Sequence, residues 1–358
     1  MLFEGLFSPA AIAANWTENA SNRIPYLGEG LFPSQKQAGL DLKWIKGNHG
    51  IPVSLMPSAF DAKATFRDRV GVEKIETEMP FFREGFKLKE RERQDILRAQ
   101  SANDPYVSAA IARVFDDANN LIEGALVVSE RERMQLLFAH EGNVGITIVA
   151  NGVNYTYNYD PDGSWKASNY FELTGTSVWS DAEHADPFAD IQTAKDAISA
   201  STGTDLRIAI MNKATFKLLR DCAAIKARYL TKVGTAIGYL SDADIIAVLK
   251  DTADLDGIIV YDKQYRNENK QARKFVPDGY VALVPAGSIG STWYGTTPEE
   301  ADLMGKGTDA VVTLVEKGIA VTQIPDLHPV NLNTFASEIV LPSYERMDEV
   351  ALLKVAAM

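Results

Sequence analysis

The run DPYVSAAIARVFDDANNLIEGALVVSERERMQLLFAHE, at positions 104–141, decides how this chain is read. Asp104-Pro105 supplies an N-cap followed by proline at the first helical position. Val107, Ala110, Ile111, Val114, Phe115, Ala118, Leu121, Ile122, Ala125 and Leu126 then recur at spacings of three and four, the period of one helix face. The pattern runs on through Met134, Leu137 and Phe138 and stops at Gly142-Asn143. The spacing predicts a helix of about 35 residues, about 50 Å long, where the average helix has about 11–12 residues. Gly124, near its middle, is expected to permit a bend or a close packing.

On the C-terminal side, Ile146, Ile148, Val153, Tyr155, Tyr157 and Tyr159 alternate around Asn151-Gly152, a two-residue hairpin signal. A different texture begins at Asp186-Pro187. Helices are expected at 188–201, 215–230 and 242–249, and strands at 207–211, 257–261, 280–285, 311–315 and 320–324. This is a mixed α/β unit of about 135 residues, an ordinary domain size. Two last strands, 334–341 and 350–355, are expected to return to the first unit and pair beside the 146–159 hairpin.

On the N-terminal side the text is less regular. Residues 1–40 are broken by Pro9, Pro25, Pro33, Gly28, Gly30 and Gly39, yet carry Phe3, Phe7, Trp16, Tyr26 and Phe32. Apolar side chains on an irregular arm need a surface, and a neighbouring subunit is one candidate. Residues 41–88 read as a long hairpin-like excursion, with Trp44 early, Phe60 and Phe66 in its middle, and charges of both signs interleaved. Two strands alone are marginal in water, so this ribbon is expected to lie on something else.

The chain has 358 residues, 36 basic and 48 acidic, for a net charge of −12. That balance argues against a broad grip on nucleic acid, which needs Lys and Arg at the phosphates, and against an anionic membrane surface. Met1–Ala14 lacks a basic n-region, so no signal peptide is expected. No stretch approaches the roughly 18 apolar residues of a membrane span.

Cys222 is the one cysteine and reads as a small buried hydrophobe within a helix. His49, His140, His184 and His328 lie far apart with no metal-ligand spacing. Gly287-Ser288-Ile289-Gly290 reads as a turn between strands, and Asp181, Glu183, Asp186 and Asp190 as solvated capping acids. Lys87–Arg93 and Arg131-Glu132-Arg133 read as solvated mixed-charge faces or as ion pairs between subunits. No constellation carries catalysis, and no cofactor or metal is implied. An arm, a ribbon and a very long helix before a compact α/β unit make sense when copies of one chain lie against each other. The sequence therefore reads as a structural building block and not an enzyme.

Four stretches carry a family resemblance. Glu172-Leu173-Thr174-Gly175-Thr176-Ser177-Val178-Trp179-Ser180 is followed by Asp186-Pro187-Phe188-Ala189-Asp190-Ile191. Lys274-Phe275-Val276-Pro277-Asp278-Gly279 and Leu341-Pro342-Ser343-Tyr344-Glu345-Arg346-Met347-Asp348 come later in the same order. Together they resemble the major capsid proteins of tailed phages, of the HK97-like fold and the lambda-type capsid protein E family.

The resemblance implies an α+β fold with an N-terminal arm (1–40), an extended loop (41–88), and a peripheral domain (89–185) built on a spine helix at 104–141. It implies an axial domain (186–325) and a return to the peripheral domain (326–358). It also implies pentamers and hexamers that close into an icosahedral head around double-stranded DNA. A separate scaffolding protein, a portal and a decoration protein would be partners. Assembly would occur in the host bacterial cytoplasm, and the DNA would be enclosed without sequence-specific binding. Candidate interface residues are Phe3, Phe7, Trp16, Trp44, Phe60, Phe66, Arg67, Arg69, Glu73, Lys74, Glu76 and Glu78, the charged ones pairing across the seam. A cargo-enclosing compartment of the encapsulin kind, another phage structural protein, and a soluble α/β enzyme are the competing readings.

Overall fold

The computed structural model describes residues 7–19, 25–46, 73–88, 90, 94, 105–150, 152–233, 240–305, 309–327 and 330–356. Along them run α1 (Pro9–Asn19), α2 (Gly28–Leu31), β1 (Ser34–Lys36), β2 (Asp41–Lys46), β3 (Glu73–Glu78), β4 (Phe81–Leu88) and α3 (Pro105–Leu137). Next come β5 (Gly145–Ala150), β6 (Val153–Asn158), α4 (Ser164–Asn169), β7 (Tyr170–Glu172), α5 (Pro187–Thr202), β8 (Ile208–Met211), α6 (Lys213–Asp221), α7 (Ala223–Val233) and α8 (Asp242–Ala253). The last are β9 (Gly257–Val260), β10 (Gln264–Arg266), β11 (Ala272–Lys274), β12 (Tyr280–Val284), β13 (Ser291–Tyr294), β14 (Val311–Val315), β15 (Ile319–Leu327), β16 (Val330–Ser343) and β17 (Ala351–Lys354). Contacts divide the chain into two units. Unit 1 is Met1–Lys43, Glu76–Glu132 and Ser291–Ser343; unit 2 is Trp44–Ile75, Arg133–Gly290 and Tyr344–Met358.

Unit 1 is organised by β16, whose 14 residues far exceed the usual strand of about 5–6. One flank pairs antiparallel with β4, from Leu332↔Leu88 to Ile339↔Phe81. The other pairs with β15 and then with β13, and β1 joins β13 in parallel. β14 closes the sheet beyond β15. Ile12 and Trp16 of α1 and Ala118, Ile122 and Leu126 of α3 pack on Val315, Ile319, Val321 and Ala336 of the sheet. The three- and four-residue spacing on α3 is what puts Ala118, Ile122 and Leu126 on one face.

The tight turn between β14 and β15 needs glycine at one position. A Cβ on Gly318 would lie 2.4 Å from the Tyr294 ring, and that ring is buried with its hydroxyl 3.0 Å from Ser129 Oγ.

Unit 2 holds a five-stranded mixed sheet in the order β7-β17-β12-β8-β9. β12 is central and wholly buried, antiparallel to both β8 and β17. β9 runs parallel to β8 and ends the sheet. Phe188, Ile191, Ala194 and Ile198 of α5, Phe216 and Leu219 of α6, and Ile245, Val248 and Leu249 of α8 cover it. The α5 cap is as its sequence predicts. Asp186 accepts from the Phe188 and Ala189 amides, Pro187 opens the helix, and Gly203 closes it at φ 74°. Gly152, at φ 81°, sits in the β5–β6 turn.

Several expectations are corrected. The arm is not irregular throughout: residues 9–19 are helical, because Pro9 at the first position presets φ and Ser8 Oγ accepts the Ala11 amide at 3.2 Å. The long helix ends at Leu137, not 141, since Glu141 and Gly142 both take positive φ. Gly124 meets nothing within 4 Å, so it serves no close packing among the described residues.

The helix expected at 215–230 is two, broken at Cys222. Extended backbone there (ψ 129°) coincides with two tertiary bonds: Cys222 Sγ–H donates to Ala185 O, and the Ala223 amide to Ala182 O at 2.7 Å.

The last strands do not pair beside the 146–159 hairpin. β16 joins β4, β13 and β15, while β17 lies between β7 and β12. β14 and β15, grouped by sequence with 186–325, belong to unit 1 through β16, and 344–358 belongs to unit 2.

The charged run at the end of α3 is not a solvated face. Ser129, Glu130, Glu132 and Arg133 are all buried. Glu130 accepts the Gly28 amide through both carboxylate oxygens at 3.1 Å. Arg131 and Gln135, on the same turns of α3, are half-exposed.

Candidate assembly surfaces

The sequence-predicted interface residues separate into three groups. Phe7 and Trp16 lie in the interior of unit 1, 1% and 4% exposed. Phe7 packs on Leu88, Val114 and Leu332, with its ring 5.4 Å from that of Phe115. The Trp16 indole N–H donates to Glu316 Oε1 at 2.9 Å. Trp44 is buried in unit 2, its ring 5.6 Å from Tyr159. These three rings are used within their own chain, which corrects the expectation that they are left for a neighbour. Burying an aromatic face removes it from water once only.

Glu76 and Glu78 are exposed on the β2–β3 ribbon. Glu76 pairs with Lys43 at 2.8 Å, and this hydrogen bond, reinforced by the carboxylate charge, raises the Lys43 pKa. Glu73 and Lys74 lie in β3, their side chains outside the described residues; Phe3, Phe60, Phe66, Arg67 and Arg69 lie wholly outside them.

The acidic run at 181–190 is taken up by protein partners. Asp181 accepts from His184 Nδ1 at 3.0 Å, which lowers the Asp181 pKa and raises that of His184. Asp186 caps α5. Asp190 accepts from the Trp179 indole at 2.9 Å, and burial pushes its pKa up against that hydrogen bond. No group of three or more metal-ligating side chains stands together among the described residues. No described helix is long and apolar enough to cross a membrane.

Polar groups inside the two units act as ties. Glu299, buried on a short π-helical turn (Glu299–Leu303), accepts from Ser337 Oγ at 2.9 Å and pairs with Arg83 Nε at 3.3 Å. It thereby joins that turn to β4 and β16, where Arg83 and Ser337 stand opposite each other. Lys195, 5% exposed, donates to the carbonyls of Ala253 and Asp254 at the end of α8, at 3.0 and 2.8 Å. Cations favour that end of a helix.

What the sequence reading missed is the chain's free apolar and charged surface. Val149 (60% exposed) and Val153 (46%) flank the β5–β6 turn, Val311 stands on the sheet-edge strand β14, and Val260 on the edge strand β9. The alternation of β5 contained part of this: with Ile146 and Ile148 inward, Val149 must face out. A short ribbon, β10–β11, was also missed. Its three-residue strands are too brief for a period to show.

The chain matches the family model of phage major capsid protein E over residues 8–355. It is similar to the crystal structure of a phage-related protein from Bordetella bronchiseptica RB50, at 16% identity and a TM-score of 0.57, covering 96% of this chain and 97% of that one. It is also similar to the putative capsid protein of a prophage of E. coli CFT073, at 16% identity and a TM-score of 0.53, covering 79% and 80%. The capsid of cyanophage A-1(L) matches at 13% identity and a TM-score of 0.50, covering 93% of each chain. No curated protein sequence matches. The mixed helix–strand architecture is that of the HK97-like capsid proteins.

Proposed function

Because the chain belongs to the phage major capsid protein E family and is a capsid shell protein, we propose that its copies assemble through pentamers and hexamers into the icosahedral head of a tailed phage. The observation that carries this is the span of the family match, residues 8–355, which takes in both units from α1 to β17. Unit 2, with its compact sheet, takes the axial role around each ring. Unit 1, with α3 and the long β16, takes the peripheral role. The segment between β2 and β3, with Arg67 and Arg69, reaches over a neighbouring copy, and Glu73, Lys74, Glu76 and Glu78 pair across that seam. Many weak contacts repeated by symmetry give a durable shell.

The net charge of −12 supports enclosure of DNA without adhesion. A scaffolding protein, a portal and a decoration protein complete the head, and assembly takes place in the host cytoplasm. The role is structural and not enzymatic.

Electron microscopy of the expressed chain tests the proposal. Closed shells of uniform diameter are expected. A chain that stays monomeric at high concentration refutes it, and shells holding a protein cargo in place of DNA in the infected host shift the reading to a compartment protein. Deleting residues 45–80 tests the overlapping segment: shells of native yield and stability would exclude that role.

A further inference from the structure

The edge of the unit 2 sheet carries opposite charges at its two ends. β9 is the last strand, its four residues Gly257-Ile258-Ile259-Val260 apolar and Val260 39% exposed. Uncovered apolar edges are templates for another chain. At the start of β9, Asp254 and Asp256 have side chains 73% and 68% exposed; with Asp205 they set three carboxylates against two cations, Arg207 and the buried Lys195 (3.5 Å from Asp205 and 3.9 Å from Asp254), which leaves one negative charge over. Past its end, the chain enters the β10–β11 ribbon, where Arg266, Lys270 and Arg273 are exposed. Residues 262–274 hold five basic side chains (Lys263, Arg266, Lys270, Arg273, Lys274) and two acidic ones (Asp262, Glu268), a local excess of three positive charges in a chain of net −12. Arg266 and Lys270 make no ion pair among the described residues.

The tip of the ribbon is costly to build. Asn267 organises it, accepting the Lys270 amide at 2.8 Å through its carbonyl and the Gln271 amide at 2.8 Å through Oδ1. That turn forces Lys270 to φ 59°, where glycine or asparagine is at ease and lysine is not. The turn leaves the Lys270 side chain exposed at the tip of the ribbon. The Tyr265 ring packs, tilted by 31°, with its centroid 4.8 Å from that of Phe275 at the base of the ribbon.

The basic and acidic features lie at opposite ends of one strand, about 13 Å apart at about 3.3 Å per residue. Within one copy the strand itself holds them apart.

We propose that they meet between copies: the basic β10–β11 ribbon of one copy lies on the acidic end of β8 and β9 of the next, with Val260 at the apolar centre of the seam. The contact is head-to-tail, the kind that closes rings, and an apolar centre with a charged rim is the ordinary anatomy of an interface. This inference rests on the shell reading above and names the seam within a ring. An isologous pairing of two β9 edges would instead stop at dimers, and a ribbon that bound nucleic acid would need no acidic counterpart.

The test compares three chains by native mass spectrometry and electron microscopy. One carries Arg266→Glu, Lys270→Glu and Arg273→Glu, the second Asp254→Lys and Asp256→Lys, and the third all five changes. Each single-sided reversal is expected to lower shell yield about tenfold or more, because like charges then face each other across every seam. The five-fold exchange is expected to restore yield to within about threefold of native, because opposite charges face again. Lys270→Gly, which relieves the positive φ, is expected to weaken assembly with no loss in subunit melting temperature.

Native yield from the ribbon-reversed chain overturns the proposal. So does failure of the five-fold exchange to recover in a subunit that melts like the native one. Dimers in place of rings overturn the head-to-tail contact, and intact shells that merely lose packaged DNA assign the ribbon to phosphates. If the native chain forms ring oligomers that never close, the shell reading fails and the seam stands; if it forms no ring, both fail.

Discussion

Replacing Trp16 by alanine asks whether the arm is held by its own chain. The indole is 4% exposed among Ile12, Ile122, Leu126 and Val315, and its N–H is bonded to Glu316. Truncating a buried tryptophan costs about 3–5 kcal/mol. Trp16→Phe keeps most of the apolar burial and loses the hydrogen bond. Glu316 is exposed and turns to water when its donor goes, so this variant should cost about 1–2 kcal/mol. With a urea slope of about 3 kcal/mol per M for a chain of this size, the midpoint should fall by about 1–1.7 M for alanine and under about 0.7 M for phenylalanine.

The measurement is urea unfolding of the unassembled subunit, followed by circular dichroism and by hydrogen exchange of residues 112–126. Because α1 is one helix on a larger unit, the loss cannot exceed the free energy for detaching it. Exchange then shows whether the α3 amides beneath it open with it. An unchanged subunit midpoint, with assembled shells that dissociate more readily, would refute the reasoning. It would place the indole against a neighbour after all.

Two further outcomes follow from the packing and the titrating groups. Gly318→Ala should destabilise the subunit by about 2–3 kcal/mol, because the new methyl overlaps a buried ring that cannot turn away; Gly30→Ala, with open space around it, should cost nothing, and equal thermal shifts for the two would sink the argument. Asp190 has its pKa raised in the fold by burial, so the folded chain binds that proton more tightly than the unfolded one. The resulting penalty is present above the folded pKa and lifts as pH falls through it. Asp190→Asn keeps an acceptor for Trp179 and should therefore gain stability at pH 7 relative to native, with the gain vanishing toward pH 4. A difference between the two denaturation curves that does not change with pH would show that the carboxylate is not desolvated.

Much of the fold was legible where one rule acted alone. The period on α3, the Asp186-Pro187 start of α5 and the Asn151-Gly152 turn each follow from local chemistry, and the structure keeps them. The failures share a cause: a distant partner outbid the local signal. Cys222 breaks a helix because carbonyls of Ala182 and Ala185 wait nearby, and Glu130 is buried where the Gly28 amide needs an acceptor. Strand partners were the least readable feature. Alternation marks a strand, yet nothing in Val350–Val355 says that it slots between β7 and β12. The candidate site was half visible. Aromatic residues in the arm were rightly seen to need a surface, but composition cannot say whether that surface belongs to the same chain. The charged edge at β9 escaped because only the β8–β9 pairing brings Asp205 and Arg207 beside Asp254 and Asp256.

The threading of the chain has a consequence for biosynthesis. Each unit is assembled from three separated stretches of sequence, and the residues joined by the Trp16–Glu316 bond are 300 positions apart. A ribosome adding about 5–20 residues per second makes the first helix wait about 15–60 s for its sheet. During that interval the emerging polypeptide has no finished face to offer a sister copy. Closing the core of unit 1 is thus a late event in synthesis, because its sheet is complete only once β16 has emerged.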